Sequence, residues 1–341
     1  MVRNQVFRHH HLLLIALGTL APLLILEGLF RLWGLVLAVP SIPMPPGSAK
    51  TARIICIGDS STEGVGSSDA KQYSYPSQLQ RLLDAAAPGR FEVVNLGLPG
   101  INSSQVLNRF EATLATFRPQ LVIAMIGIND AWNLNESNVL RFYNGTIPAK
   151  VFLLIELALS RLRVYRFVKL VYLSLTTSLG DQGVNGDTPA LPVQIPQYGP
   201  ETKEKGFRVS YDDLLKAAAI YQALETNLTN LSLIAKRRRV PIIFMRYHNW
   251  GWGHPEKIID RTYSRLEVPI IDNSSVFQEA QQRGLSVRGA DGWHPNDLGY
   301  LLIAKNVFNH LIALRVFQAE PMPLFEESLP SRAQTREASA D

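Results

Sequence analysis

Arg53-Ile54-Ile55-Cys56-Ile57-Gly58-Asp59-Ser60-Ser61-Thr62-Glu63-Gly64 is the stretch on which the fold turns. A short β-branched apolar run ending in Gly-Asp-Ser reads as a buried strand feeding a tight turn. Strands that are apolar on both sides belong to parallel sheets with helices on both faces. Cys56, the only cysteine, sits inside this run and reads as a small buried hydrophobe. A single cysteine forms no internal disulfide and leaves the redox compartment open.

Outward from this strand the same grammar repeats. Gln72 to Ala87 is helical, stopped by Pro88-Gly89. Phe91 to Leu96 is a second strand, and Ser103 to Phe117 a helix that halts before Pro119. Leu121 to Gly127 is a third strand. Tyr211 to Arg239 is a long helix and Val240 to Tyr247 a fourth strand. Pro255 to Leu266 is helical, Val268 to Asp272 a fifth strand, and Asn296 to Leu314 the last helix. This alternation predicts an α/β fold with a parallel sheet of about five strands. Ligands in such sheets sit beyond the carboxyl ends of the strands, so chemistry is expected just after each one.

Composition narrows the class. The 341 residues are 46% hydrophobic and 18% charged, which excludes collagen-like, disulfide-scaffold and wholly disordered chains. The net charge is +5. The first fifty residues hold Arg3, Arg8, Arg31 and Lys50 against Glu27, leaving only +2 for the rest. That body offers no basic stripe for nucleic acid. The run Lys236 to Arg239 closes the long helix, where cations are favoured.

Apolar residues are concentrated between Leu12 and Val39, where Glu27 and Arg31 are the only charges. Leu12 to Phe30 as a helix is about 28 Å long, close to the ~30 Å hydrocarbon core. We expect an uncleaved transmembrane anchor over 1–40 with a cytoplasmic N-terminus, given Arg3 and Arg8. The rest of the chain would then be extracytoplasmic. A cleaved signal peptide is the alternative, although its apolar region is normally ~7–15 residues. Residues 41–52 read as a linker, 53–317 as one catalytic domain with an insert at about 131–210, and 318–341 as a disordered tail. Within the insert, Val151 to Leu179 carries Arg163, Arg166 and Lys169 at helical spacing, roughly opposite Leu157, Tyr165, Val168 and Tyr172. It reads as a cap helix packed on the core, or as one lying on a bilayer or lining the site mouth.

Four blocks fall after expected strands or before a helix: Gly58-Asp59-Ser60, Asn95-Leu96-Gly97-Leu98-Pro99-Gly100, Gly127-Ile128-Asn129-Asp130 and Asp291-Gly292-Trp293-His294-Pro295. Together they hold what acyl transfer needs. A serine hydroxyl is a weak nucleophile and needs a base. His294 can take that proton as a general base. Asp291, three residues earlier, can orient the imidazole. Glycine turns and an asparagine amide supply donors for a tetrahedral oxyanion.

This ordered set resembles the SGNH hydrolases, also called the GDSL esterase/lipase superfamily, over roughly Arg53 to Leu314 apart from the insert. The resemblance implies a flavodoxin-like three-layer α/β/α sandwich. It implies Ser60 as nucleophile, His294 as base and Asp291 as its orienter. It also implies an oxyanion hole of the Ser60 N–H, the Gly100 N–H and the Asn129 side chain, with Gly97 a competing choice for the second block. Ile101 stands where many members carry a polar residue.

Trp132 and Trp293 flank these blocks, Trp250 and Trp252 lie in the loop just after the expected fourth strand, and all four are candidates for contacting substrate. No metal or cofactor is expected, and His9-His10-His11 reads as a polar flank. The expected activity is ester hydrolysis, removing O-acetyl or other short acyl groups from envelope or exported carbohydrate, or from lipid. O-acyl transfer to a polysaccharide, lipase or lysophospholipase action, and non-catalytic binding are the other readings. Oligomeric state is left open.

Overall fold

The computed structural model describes residues 18, 21–32, 51–180, 211–248, 262–266 and 268–325. Five strands form the sheet: β1 (Ala52–Gly58), β2 (Phe91–Gly97), β3 (Leu121–Met125), β4 (Ile242–Met245) and β5 (Ile270–Ile271). Their order is β2-β1-β3-β4-β5, and every pairing is parallel. This is the order of flavodoxin-like doubly wound sheets, whose switch point lies between β1 and β3. Cys56 sits opposite Asn95 of β2 and Ile123 of β3. Its neighbours Ile54, Ile55 and Ile57 are all buried, as a strand with no solvent face requires. Burial pushes the Cys56 thiol up to about 12, so it stays protonated.

The helices are α1 (Ser60–Glu63), α2 (Ala70–Tyr73), α3 (Tyr75–Ala86), α4 (Ser103–Phe117), α5 (Ile147–Leu159), α6 (Arg163–Gly180), α7 (Tyr211–Arg237), α8 (Ser274–Gln282) and α9 (Asp297–Ala313). Helices α3 and α9 pack together, as do α4 and α7. The crossover from β1 to β2 runs against those leading to β3 and β4. Right-handed crossovers therefore place α3 on one face and α4 and α7 on the other.

Several boundaries differ from expectation. The third, fourth and fifth strands are shorter than their apolar runs. The helix expected from Gln72 is two helices, because Ser74 is extended (ψ 151°) and Pro76 opens α3; proline suits a first helical turn but lacks the N–H of an interior one. The single cap helix expected over Val151–Leu179 is also two. Ser160 Oγ donates to the Glu156 carbonyl at 2.7 Å, and such back-bonding competes with helix continuation.

The tail expected from residue 318 is partly packed. Ala319, Met322, Leu324 and Phe325 lie on the main core, and the Asn309 side chain bonds the Met322 backbone on both sides at 2.8 Å. Residues 326–341 lie outside the described residues, as do most of 1–40 and the linker. Residues 21–32 are helical. Among the described residues, no helix is long and apolar enough to cross a membrane.

Candidate active site

Ser60 is the first residue of α1, directly after β1. Its turn is closed by Asp59, whose Oδ1 accepts from Ser61 N at 3.0 Å. Asp59 is fully buried, and Tyr247 Oη donates to its other oxygen. Burial raises the Asp59 carboxyl to about 6, and the Tyr247 bond opposes the rise. Gly58 is obligatory: a Cβ there would lie 2.2 Å from Thr62 Oγ1 and 2.3 Å from the Met125 carbonyl.

His294 arrives from the far end of the chain, on the loop before α9. Asp291 Oδ1 accepts from Trp293 N at 2.9 Å and His294 N at 3.0 Å. Its Oδ2 lies 2.6 Å from His294 Nδ1. Partial burial would raise the Asp291 carboxyl, but these three bonds outweigh it and hold it below its ordinary value. An ionised carboxylate only accepts, so Nδ1 carries the proton in the neutral ring and Nε2 is the acceptor. Nε2 lies 2.8 Å from Ser60 Oγ.

The two loops are stitched together. Ser68 donates to the Asp297 carboxylate through N at 2.7 Å and Oγ at 2.6 Å. Tyr300 Oη donates to the Val65 carbonyl at 2.6 Å. Gly66 (φ 92°) leaves room for His294, since a Cβ on it would meet His294 Cβ at 2.7 Å. His248 Nε2 sits 3.1 Å from the Trp293 carbonyl. Burial lowers the His248 imidazole to about 3, so it is neutral and donates that bond.

The other wall comes from β2 and β3. Asn129 is buried in the turn after β3. Trp132 Nε1 donates to Asn129 Oδ1 at 2.7 Å, and Asn129 Nδ2 donates to the Ile101 carbonyl at 3.0 Å. The indole fixes the amide's orientation, and the amide has a second N–H beyond the one given to Ile101. Gly100 (φ 72°) makes the turn after β2, its missing Cβ facing the Trp132 ring at 3.3 Å. Gly97 does a different job: a Cβ there would fall 2.2 Å from Glu63 N, so it admits α1 against β2. Asp130 ties the two turns, accepting from Ser103 N at 2.8 Å and from Ser103 Oγ. Burial raises its carboxyl to about 7.

Ser60, His294 and Asp291 are thus brought together, and Gly100, Asn129 and Trp132 form one adjoining wall. Trp293 lies between Asp291 and His294. Trp250 and Trp252 lie outside the described residues. Sequence reading did not single out Tyr247, Gly66 or Asn133, whose Nδ2 donates to the Gly100 carbonyl at 2.6 Å, or assign a role to Asp130. Only Asp130 had a signal, its place in the Gly-Ile-Asn-Asp block. Among the described residues, no group of three or more His, Cys, Asp or Glu is placed to hold a metal.

No curated protein matches the chain. Solved structures resemble it at low identity. LAE5, an alpha/beta hydrolase enzyme from the metagenome of Lake Arreo, Spain, is 17% identical, with 80% of this chain and 99% of that one covered and a TM-score of 0.45. Axe2, an acetylxylan esterase from Geobacillus stearothermophilus, is 18% identical over 80% and 100%, with a TM-score of 0.45. The psychrotrophic esterase EstA from Pseudoalteromonas sp. is 14% identical over 78% and 99%, with a TM-score of 0.44. The assignment rests on the family match, which runs over residues 56–302, well beyond half of the chain, and spans all four blocks. The chain belongs to the GDSL-like Lipase/Acylhydrolase family and is a hydrolase of ester bonds.

Proposed function

We propose that the chain is a serine ester hydrolase that removes acetyl or other short acyl groups from envelope or exported carbohydrate or from lipid. The observation that carries this reading is the line from Asp291 Oδ2 through His294 to Ser60 Oγ, with steps of 2.6 and 2.8 Å. Ser60 Oγ attacks the ester carbonyl carbon while His294 Nε2 takes its proton. The tetrahedral oxyanion is held by the Ser60 and Gly100 N–H groups and the Asn129 amide. His294 returns the proton to the departing alcohol oxygen as the C–O bond breaks. Water then attacks the acyl-enzyme, giving its proton to Nε2 and from there to Ser60 Oγ as the acid leaves. Asp291 keeps the imidazole in the required tautomer and stabilises its cation.

The apolar run Leu12–Phe30 supports an anchor in the membrane, with the hydrolase outside the cytoplasm. The test is a fluorophosphonate probe followed by a p-nitrophenyl ester series from acetate to palmitate. Wild type should label and Ser60→Ala should not, with acetate the preferred ester. An unlabelled wild type overturns the mechanism, and preference for palmitate overturns the short-acyl substrate.

A further inference from the structure

The insert helices are amphipathic the wrong way round for a water-soluble surface. In α5 and α6 the outward side chains are large and apolar: Ile147 is 80% exposed, Phe152 72%, Tyr172 64% and Val168 56%. Apart from the exposed Lys150, the charged groups of the same helices turn inward. Glu156 pairs with Lys169 at 2.8 Å and with Lys216 of α7. The segment over residues 21–32 docks on α6 in the same manner. Glu27 accepts from Val164 N at 2.9 Å, Arg163 donates to the Phe30 carbonyl, and the rings of Phe30 and Phe167 lie 5.4 Å apart. Its outer side is apolar too, with Leu24 70% exposed. Water-soluble monomers rarely expose apolar patches larger than a few hundred Å². Polar groups that pair inward while hydrocarbon faces outward are what a lipid environment selects, because lipid chains offer no hydrogen-bonding partners.

We infer that the outward face of α5 and α6, continued by the helix over 21–32, is seated in the interfacial layer of an anionic lipid bilayer. Two features select lipid over a protein partner. Arg141, Lys150 and Arg161, in and flanking α5, are exposed, while Glu156, the only acidic residue between Arg141 and Tyr172, is paired inward, a balance that attracts anionic head groups. The docked helix also continues, toward the N-terminus, the apolar run that begins at Leu12, so the face adjoins the chain's most membrane-compatible sequence. This inference deepens the membrane placement proposed above. It also sets the site's position: Lys169 Nζ donates to the Trp132 carbonyl at 2.9 Å, and Trp132 holds Asn129. The candidate oxyanion wall therefore backs directly onto the bilayer-facing helices, bringing esters carried at the head-group level to the serine.

The test uses the full chain in vesicles of phosphatidylcholine and phosphatidylglycerol. Phe152→Cys, Val168→Cys and Tyr172→Cys are each labelled with an environment-sensitive fluorophore, native Cys56 being buried. Asp84→Cys on α3 is the control. Brominated acyl chains should quench the three platform positions severalfold more than the control. Quenching no greater than the control overturns the inference, even if the chain floats with the vesicles, in which case the anchor reading survives alone. Cross-linking of two Phe152→Cys copies without quenching overturns it in favour of a second copy on this face. Hydrolysis of p-nitrophenyl acetate by the same samples reads the proposed function separately.

Discussion

His294 Nε2 stands 2.8 Å from Ser60 Oγ although 234 residues separate them in sequence. No local preference produces that contact. It depends on Ser68 gripping Asp297, Tyr300 gripping the Val65 carbonyl, and the absence of a side chain on Gly66. The distance between nucleophile and base is therefore set by the segment that follows α1, and substitutions there should act on catalysis from outside the triad.

Gly66→Ala tests that directly. A Cβ at this position meets His294 Cβ at 2.7 Å and adopts an unfavourable φ of 92°. Moving reacting groups by about 1 Å can cost about 10²-fold in rate. We expect a kcat loss of that order with fluorophosphonate labelling slowed in parallel. Unchanged labelling kinetics would show that the Gly66 contact does not set the Ser60–His294 distance.

Asp291→Asn should leave the fold intact and cut kcat by up to about 10⁴-fold, because an amide can hold the wrong imidazole tautomer. KM should change little. Steady-state kinetics on p-nitrophenyl acetate, with circular dichroism as the folding check, measures both. Activity near wild type would remove Asp291 from the orienting role.

Asn129→Ala removes a donor from the proposed oxyanion hole, a loss typically worth about 10²–10³ in kcat. Trp132→Phe keeps a ring against Gly100 but deletes the N–H that fixes the Asn129 amide. It should lower kcat by a smaller factor with KM nearly constant. In the double variant Asn129→Ala/Trp132→Phe, the second substitution should add little, since the indole acts through the amide. Additive losses would mean that Trp132 contributes independently of Asn129.

Asp59 and Asp130 carry carboxyls that burial raises from 3.8 to about 6 and about 7. Because the folded state holds these protons more tightly than the unfolded state, each group's contribution falls as pH rises from about 4 to about 7. Asp130→Asn does not titrate. Its unfolding free energy relative to wild type should therefore improve between about pH 5 and about pH 8, as read by urea unfolding at each pH. A difference that stays constant over that interval would mean that Asp130 is ionised in the fold with an ordinary or lowered value.

How much was legible in the sequence follows from the range of the interactions involved. The apolar run Ile54 to Ile57, the alternation of strands and helices and the four polar blocks are local patterns. They identify a parallel α/β sheet with chemistry at its carboxyl edge because strand burial and turn chemistry act over a few residues. The capping of α1 by Asp59 and the Asp291–His294 pair are equally local. The tertiary structure alone decided the rest. The Tyr247–Asp59 and Asp130–Ser103 bonds and the Gly66–His294 approach each join separate segments of the chain, so no spacing announces them. The insert makes the same point in the other direction. Its sequence shows charges and apolar residues at helical spacing, but periodicity does not say which side faces inward. That was settled by Glu156, which is held by Lys216 and draws Lys169 of α6 toward the protein, and by the Phe30 carbonyl, which takes Arg163; the hydrocarbon face is left outside.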